Sequence, residues 1–123
     1  MTRLWMVLAA VFGFSGVGLG AFAAHGLKHR LSAEYLAVFQ TGTHYQLIHA
    51  LALLGVAVLA LQRPSRWLQV AGGAFTAGIV LFSGSLYLLT LTGVGVLGMI
   101  TPLGGCAFLL GWLGLGLAAC KRV

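Results

Sequence analysis

Four apolar stretches, each long enough to cross a lipid bilayer, occupy nearly the whole of this chain. A helix needs about 20 apolar residues to cross the hydrocarbon, and the stretches cover about residues 4–24, 45–61, 68–92 and 102–119. Only 7% of the 123 residues are charged, whereas a soluble domain usually carries about a quarter. The sequence therefore predicts a single all-α membrane domain, an integral four-helix bundle.

The connector between the first two spans has the pattern of a short amphipathic helix. Ser32 is a suitable N-cap, and Glu34 lies in the first turn, where the helix dipole favours an acid. Apolar residues follow at helical spacing. We therefore expect an interfacial helix over about residues 33–41, lying at the membrane surface between spans one and two.

The residues before the fourth span leave two structures open. Three glycines weaken a helix over residues 93–101. Thr101 and Pro102 together form a good helix start, with a capping threonine and a proline at the first helical position. The preceding segment is then either a tight apolar turn partly sunk into the membrane or part of a longer helix kinked at Pro102.

Glycines recur at helical spacing in the first and last spans. Small residues let two membrane helices approach closely, because no side chain separates their backbones. We therefore interpret these positions as helix-packing sites: Gly13, Gly16, Gly20, Gly104, Gly111 and Gly114.

The basic residues favour one orientation in the membrane. Two of the seven, Lys28 and Arg30, lie in the first connector, and the other five lie at the end shared by both termini and the middle connector: Arg3, Arg63, Arg66, Lys121 and Arg122. The positive-inside rule predicts a multi-pass protein of the cell membrane with both termini in the cytoplasm. The net charge of +6 forms no continuous basic face. The expected surroundings are therefore the lipid bilayer rather than nucleic acid.

The chemically active side chains gather near one end of the predicted bundle. All four histidines and the only acidic residue fall between residues 25 and 49. Because span one ends near His25 and span two begins near Tyr45, we expect His25, His44 and His49 in the same leaflet. An ionisable residue inside a membrane segment is a functional-site candidate, since its burial is costly.

A polar layer is predicted at the depth of His49. This residue lies about 6 Å inside the second span, and Tyr87 lies about 8 Å inside the third. Tyr45, Gln46 and His49 are expected on one face of span two, and Thr90 falls in the same layer. The candidates for a ligand-binding or polar cluster are His25, His44, Tyr45, Gln46, His49, Ser83, Ser85, Tyr87 and Thr101.

Several roles remain open for these residues. His49 can be a neutral histidine that holds helices in register through a hydrogen bond to Tyr87 or a serine. His25 and His49 are weak candidates for a metal or for the axial ligands of a haem, and His25 also lies four residues from His29. No catalytic residue is assigned, because a single carboxylate excludes a paired-carboxylate mechanism, and any cofactor is left unknown.

Four ordered motifs resemble a known family. They are Gly20 to Leu27, Thr41 to His49, Leu81 to Tyr87 and Ile100 to Gly105. They are similar to the signatures of the small membrane-protein family labelled domain of unknown function 423, which includes eukaryotic transmembrane protein 256. Ala23 stands where the family often has glycine, and Gly42 where it often has alanine. The resemblance implies a four-span membrane protein and leaves its activity unspecified.

These observations support three hypotheses for function. The first is a non-enzymatic accessory or scaffold component of a membrane complex, bound to another membrane protein or to a second copy of itself. The second is a binder or conduit for a small molecule, lipid or metal at the polar layer around His49. The third, a membrane enzyme that uses His49 as a base or ligand, has the least support, because no second catalytic group is apparent.

Overall fold

The protein is an all-α bundle. A computed structural model describes residues 2–120 and contains no strand within that range. A π-helical segment, Ile79–Ser83, joins the third and fourth helices, and a 3₁₀ segment, Gly95–Met99, precedes the fifth. The helices are α1 (Thr2–His25), α2 (Ala33–Gln62), α3 (Arg66–Gly78), α4 (Gly84–Thr92) and α5 (Thr101–Cys120).

Four units of the described chain are long and apolar enough to cross a membrane. They are α1, α2, the continuous stretch Arg66–Thr92 and the stretch Gly95–Cys120. The predicted all-α four-span membrane bundle is therefore confirmed. Two residues on which the predicted orientation depends, Lys121 and Arg122, lie outside the described residues.

Helix α2 holds the bundle together. It packs along the length of α1 on one side and against α3, the π segment and α4 on another, while α5 packs mainly against α3 and the π segment. The connectors 26–32 and 93–100 lie at one end of the bundle, which we call the connector end. The opposite end, with the 63–65 connector, is the terminal end.

Residues 33–41 are helical, but they do not form a separate interfacial helix. They are the first turns of α2, which runs unbroken for 30 residues, or about 45 Å. Ser32 caps this helix by accepting a hydrogen bond from the backbone N–H of Tyr35 at 3.1 Å. The side chain of Phe39 is fully buried at the connector end against Ala23 and Leu27. This burial holds the first turns of α2 against the end of α1.

Gly42 lies inside α2 without breaking it. A Cβ at this position would come within 2.7 Å of the Tyr87 ring, so the glycine makes room for that ring. Its carbonyl also accepts a hydrogen bond from Ser83 at 2.7 Å. The helical cost of a glycine, about 1 kcal/mol, is therefore offset by two contacts with the third span.

The segment 93–101 is a turn and not the start of a longer kinked helix. Gly93 ends α4 with a left-handed φ of 74°, a conformation that glycine adopts without strain. A single 3₁₀ segment follows, and α5 begins at Thr101. The Ile100 carbonyl accepts hydrogen bonds from the N–H groups of Leu103 and Gly104, while the Thr101 hydroxyl bonds to Ser85 instead of capping the helix.

Two apolar cores fill the bundle. The larger core lies toward the terminal end and combines residues of α1, α2, α3 and α5, among them Trp5, Leu53 and Phe75. The smaller core, around Phe39, closes the connector end. Polar side chains separate the two cores.

Close backbone approach occurs at some of the glycines that we interpreted as packing sites. A Cβ at Gly104 would overlap the backbone nitrogen of Phe82, one at Gly111 would lie 2.5 Å from the Phe75 ring, and one at Gly114 would lie 3.2 Å from the Trp67 carbonyl. A Cβ at Gly16 would lie 2.8 Å from the Leu47 side chain. A Cβ at Gly13 would meet nothing within 4 Å, and one at Gly20 would make only an ordinary contact of 4.0 Å with Thr43.

The adjacent pair Gly104 and Gly105 tests this packing. We expect Gly104→Ala to destabilise the bundle by about 1–3 kcal/mol, because the added methyl group overlaps backbone that cannot rotate away. Gly105→Ala is the matched control, since a Cβ there meets nothing within 4 Å and alanine is the better helix former. Denaturant unfolding in micelles, followed by circular dichroism, measures both. Equal stability of the two variants would contradict a close α5 contact at Gly104.

Candidate functional site

A layer of polar side chains, all buried except the half-buried Tyr87, separates the two apolar cores. Its members come from α2, the π segment and α4. In an apolar environment each of these groups needs a hydrogen-bond partner. No buried side-chain nitrogen or oxygen among residues 2–120 lacks one. We call this set the polar layer: Gln46, His49, Ser83, Ser85 and Tyr87.

Gln46 joins three helices through one amide group. Its Nε2 donates to the Phe12 carbonyl at 2.9 Å and to the Ser15 hydroxyl at 2.8 Å, both on α1. Its Oε1 accepts from the Tyr87 hydroxyl of α4 at 2.6 Å. Both amide hydrogens are thus used, and the side chain of Gln46 is only 3% exposed.

Two serines extend these links to the remaining helices. Ser83, at the end of the π segment, is fully buried and donates to the Gly42 carbonyl of α2. The hydroxyls of Ser85 and Thr101 lie 2.6 Å apart and tie α4 to the start of α5. Together with Gln46 these contacts connect all four spans.

His49 has a defined partner for each ring nitrogen. Its Nδ1 lies 2.7 Å from the Tyr45 carbonyl, which can only accept a hydrogen bond. Its Nε2 lies 3.1 Å from the indole N–H of Trp112, which can only donate. These partners assign a neutral ring with its hydrogen on Nδ1. In this state both nitrogens are satisfied.

Aromatic rings surround His49. The imidazole stacks on Phe108 with ring centroids 3.6 Å apart and planes 8° from parallel, and it meets the edge of Trp112 at 5.8 Å. Tyr45 lies 4.7 Å from Phe82, which in turn lies 5.4 Å from Phe108. His49 is therefore held in an aromatic cluster that joins α2 to α5.

The structure divides the predicted candidates of span two between two sides of the helix. Gln46 faces α1 and α4, whereas Tyr45 and His49 face α5. Each residue turns a helix by about 100°, so neighbouring positions diverge. His49 is held by Trp112, and not by Tyr87 or a serine as the sequence suggested. Thr90 bonds to carbonyls of its own helix, those of Leu86 and Tyr87.

The structure does not place the candidate metal ligands His25 and His49 together. His25 is exposed at the end of α1, whereas His49 is buried and bonds to Tyr45 and Trp112. Within the same range no group of three or more His, Cys, Asp or Glu side chains is placed to hold a metal ion. A metal or haem at His49 would first have to displace the Trp112 hydrogen bond from Nε2.

An open groove lies between α2 and α5 beside His49. It has a volume of about 710 Å³ and a largely aromatic lining that includes Tyr45, His49, Phe82, Phe108 and Trp112. His44 and Pro102 border it at the connector end. We call this the α2–α5 groove. His49, although buried, forms part of its wall.

Three participants in the site were missed by sequence reasoning. Ser15 is an isolated hydroxyl in an apolar helix, and its side chain also donates to its own Val11 carbonyl, so it gave no separate signal. Trp112 and Phe108 are ordinary core residues by composition. The single tryptophan of the fourth span was the one usable signal, because an indole N–H inside a membrane span needs an acceptor.

One family of membrane proteins matches the chain over most of its length. The family model described as protein of unknown function (DUF423) matches residues 19–105. The chain belongs to this family. The match confirms the resemblance seen in the four motifs, which lie largely within that range.

Several bacterial relatives in this family are similar over nearly their full length. A UPF0382 membrane protein of Bacillus subtilis, YwdK, is 46% identical over 120 residues, covering 97% of this chain and 98% of the relative. A UPF0382 membrane protein of Haemophilus influenzae is 44% identical over 121 residues, covering 98% of this chain and 97% of the relative. The UPF0382 inner membrane protein YgdD of Escherichia coli is 43% identical over 111 residues, covering 90% of this chain and 85% of the relative. No solved structure matches the chain.

The Gln46 network makes a direct prediction for stability. Gln46→Leu removes the bonds to α1 and the bond from the Tyr87 hydroxyl, so we expect the free energy of unfolding to fall by about 1–2 kcal/mol. Gln40→Leu is the matched control, because Gln40 lies exposed on the same helix. Unfolding in micelles measures both variants. A Gln46→Leu bundle as stable as the Gln40→Leu bundle would contradict the structural role of this amide.

Proposed function

We propose that this protein is a non-enzymatic accessory or scaffold component of a membrane complex. The observation that carries the proposal is the pairing within the polar layer. Gln46, His49 and Tyr87 are all engaged in joining one helix to another. Side chains used in this way stabilise a rigid bundle and are not poised for proton transfer or nucleophilic attack.

The surface between α1 and α2 supports association with another helix. A groove of about 570 Å³ runs between them, with an almost wholly apolar lining that includes Ala10, Gly13 and Leu51. Gly13 leaves open space where a Cβ would stand. The neighbouring face of α1 exposes Phe14, at 85%, and Val17, at 64%. Small residues beside large apolar ones suit the close packing of membrane helices.

The second hypothesis, a binder of a small molecule, is supported by a different observation. His49 and Trp112 line an open groove instead of being enclosed on every side. Ligand binding in this groove is compatible with an accessory role, since the ligand and a partner protein would occupy different faces of the bundle.

The relatives support a location in the cell membrane. Each is named a membrane protein, and that of Escherichia coli is named an inner membrane protein. The proposed orientation, with both termini in the cytoplasm, follows from the basic residues alone.

Two glycine variants of α1 test the accessory role. Gly13→Leu fills the α1–α2 groove, and Gly18→Leu adds the same side chain outside it, where a Cβ also meets nothing within 4 Å. We expect the wild-type protein, extracted gently from its own membrane, to carry a partner protein or second copy in native mass spectrometry. Gly13→Leu should weaken this association roughly tenfold or more, because overpacking costs about 1–3 kcal/mol, while Gly18→Leu should retain it.

Circular dichroism checks that both variants fold. A bare monomer for all three proteins, with no product from cross-linking in intact membranes, would refute the accessory role. Equal loss of the partner in both variants would refute the groove as the contact surface.

A further inference from the structure

Two polar side chains on the α2–α5 groove stand apart from the paired residues of the polar layer. His44 and Tyr45 both border the groove, and Tyr45 is 41% exposed there. Within residues 2–120, neither the His44 ring nor the Tyr45 hydroxyl forms a hydrogen bond to another part of the protein. Nearby Gln46 and His49 have every polar atom paired. The unpaired donors therefore lie on the surface of the groove and not in the core.

These donors favour a ligand that carries a hydrogen-bond acceptor. Beside hydrocarbon, where water is scarce, a donor without a partner in the protein gains free energy from an acceptor on a bound molecule. Both the phenol and the imidazole can donate a hydrogen bond. No lysine or arginine lines the groove, so nothing there favours the full negative charge of a phosphate. The acceptor that fits is a neutral carbonyl oxygen.

The rest of the groove fits an apolar and unsaturated body. From Pro102 to Trp112 the groove follows eleven residues of α5, a rise of about 15 Å, which is about half the thickness of the hydrocarbon core. Its volume of about 710 Å³ lies within the range of small-molecule sites, about 300–1,000 Å³. Phe82, Phe108 and Trp112 offer aromatic surface to planar groups.

We propose that the α2–α5 groove binds an isoprenoid quinone. The ring lies at the connector end, where a carbonyl oxygen accepts hydrogen bonds from the Tyr45 hydroxyl and the His44 ring. The isoprenoid tail runs along Phe82, Phe108 and Trp112 toward the middle of the bilayer. This binding site goes beyond the accessory role and lies on a different face from the α1–α2 groove.

Two glycines of α5 provide a matched pair of variants. Gly105 lines the groove, and a Cβ at this position would meet nothing within 4 Å, so Gly105→Leu fills the groove without a clash inside the bundle. Gly116 has equally open surroundings and does not line the groove. Gly116→Leu therefore adds the same side chain to the same helix elsewhere. Tyr45→Phe removes one hydroxyl and keeps the ring.

The experiment titrates ubiquinone with two isoprene units into the purified protein in lipid nanodiscs and follows the quenching of tryptophan fluorescence. Trp112 on the groove reports binding. We expect a saturable component of quenching for the wild type and Gly116→Leu and only the linear component from the bilayer for Gly105→Leu. Tyr45→Phe should bind about fivefold more weakly, the effect of one lost hydrogen bond. Circular dichroism and thermal melting verify that all variants fold.

Two results would overturn the proposal. Quenching that rises linearly and equally in the wild type and Gly105→Leu would show partition of the quinone into the bilayer only. Native mass spectrometry that finds a phospholipid retained by the wild type and lost from Gly105→Leu, with no saturable quenching by the quinone, would assign the groove to a different occupant. Neither result depends on whether a protein partner binds at Gly13.

Discussion

The need to pair every polar group inside hydrocarbon governs this bundle. Water cannot satisfy a buried amide or imidazole there, so the side chain of Gln46 must find all of its partners in the protein. It does so on α1 and α4, and this fixes the rotation of α2 relative to both helices. The two apolar cores then pack around a layer whose geometry is set by hydrogen bonds.

The apolar contacts have a different source of specificity. Lipid tails are as apolar as leucine, so burial alone gives little preference for one helix arrangement in a membrane. Close fit supplies it: Gly104 lets α5 reach the backbone of the third span at Phe82, and Gly72 receives the ring of Trp5. That ring also donates a hydrogen bond from its indole nitrogen to Gln69 at 2.9 Å. Shape and hydrogen bonding thus select the same packing.

Most of the architecture could be predicted from the sequence because span length and hydropathy are local properties. The turn before Thr101 was one of two open alternatives, and the left-handed Gly93 decides between them. The continuity of α2 was not foreseen, since the stabilising contacts of Gly42 come from Ser83 and Tyr87, more than forty residues away.

The candidate site was only partly accessible to the same reasoning. Depth along a helix can be counted, so Gln46, His49 and Tyr87 were placed in one layer. The direction in which each side chain points depends on how neighbouring helices are rotated, and a sequence does not encode this locally. For that reason the hydrogen bond between Trp112 and His49, and the groove beside it, could be found only from the structure.

The wide turn between α3 and α4 sets the rotation of the second half of the third span. In the π segment the Gly84 N–H bonds to the Ile79 carbonyl, five residues back, so this turn holds one residue more than an α-helix would. The residues beyond it are rotated by about 100° relative to an uninterrupted helix, and that offset turns Tyr87 toward Gln46 of α2. The number of residues in this segment therefore determines which way the second half of the third span faces. The loss of one residue there would remove the extra residue of the wide turn and rotate Tyr87 away from Gln46.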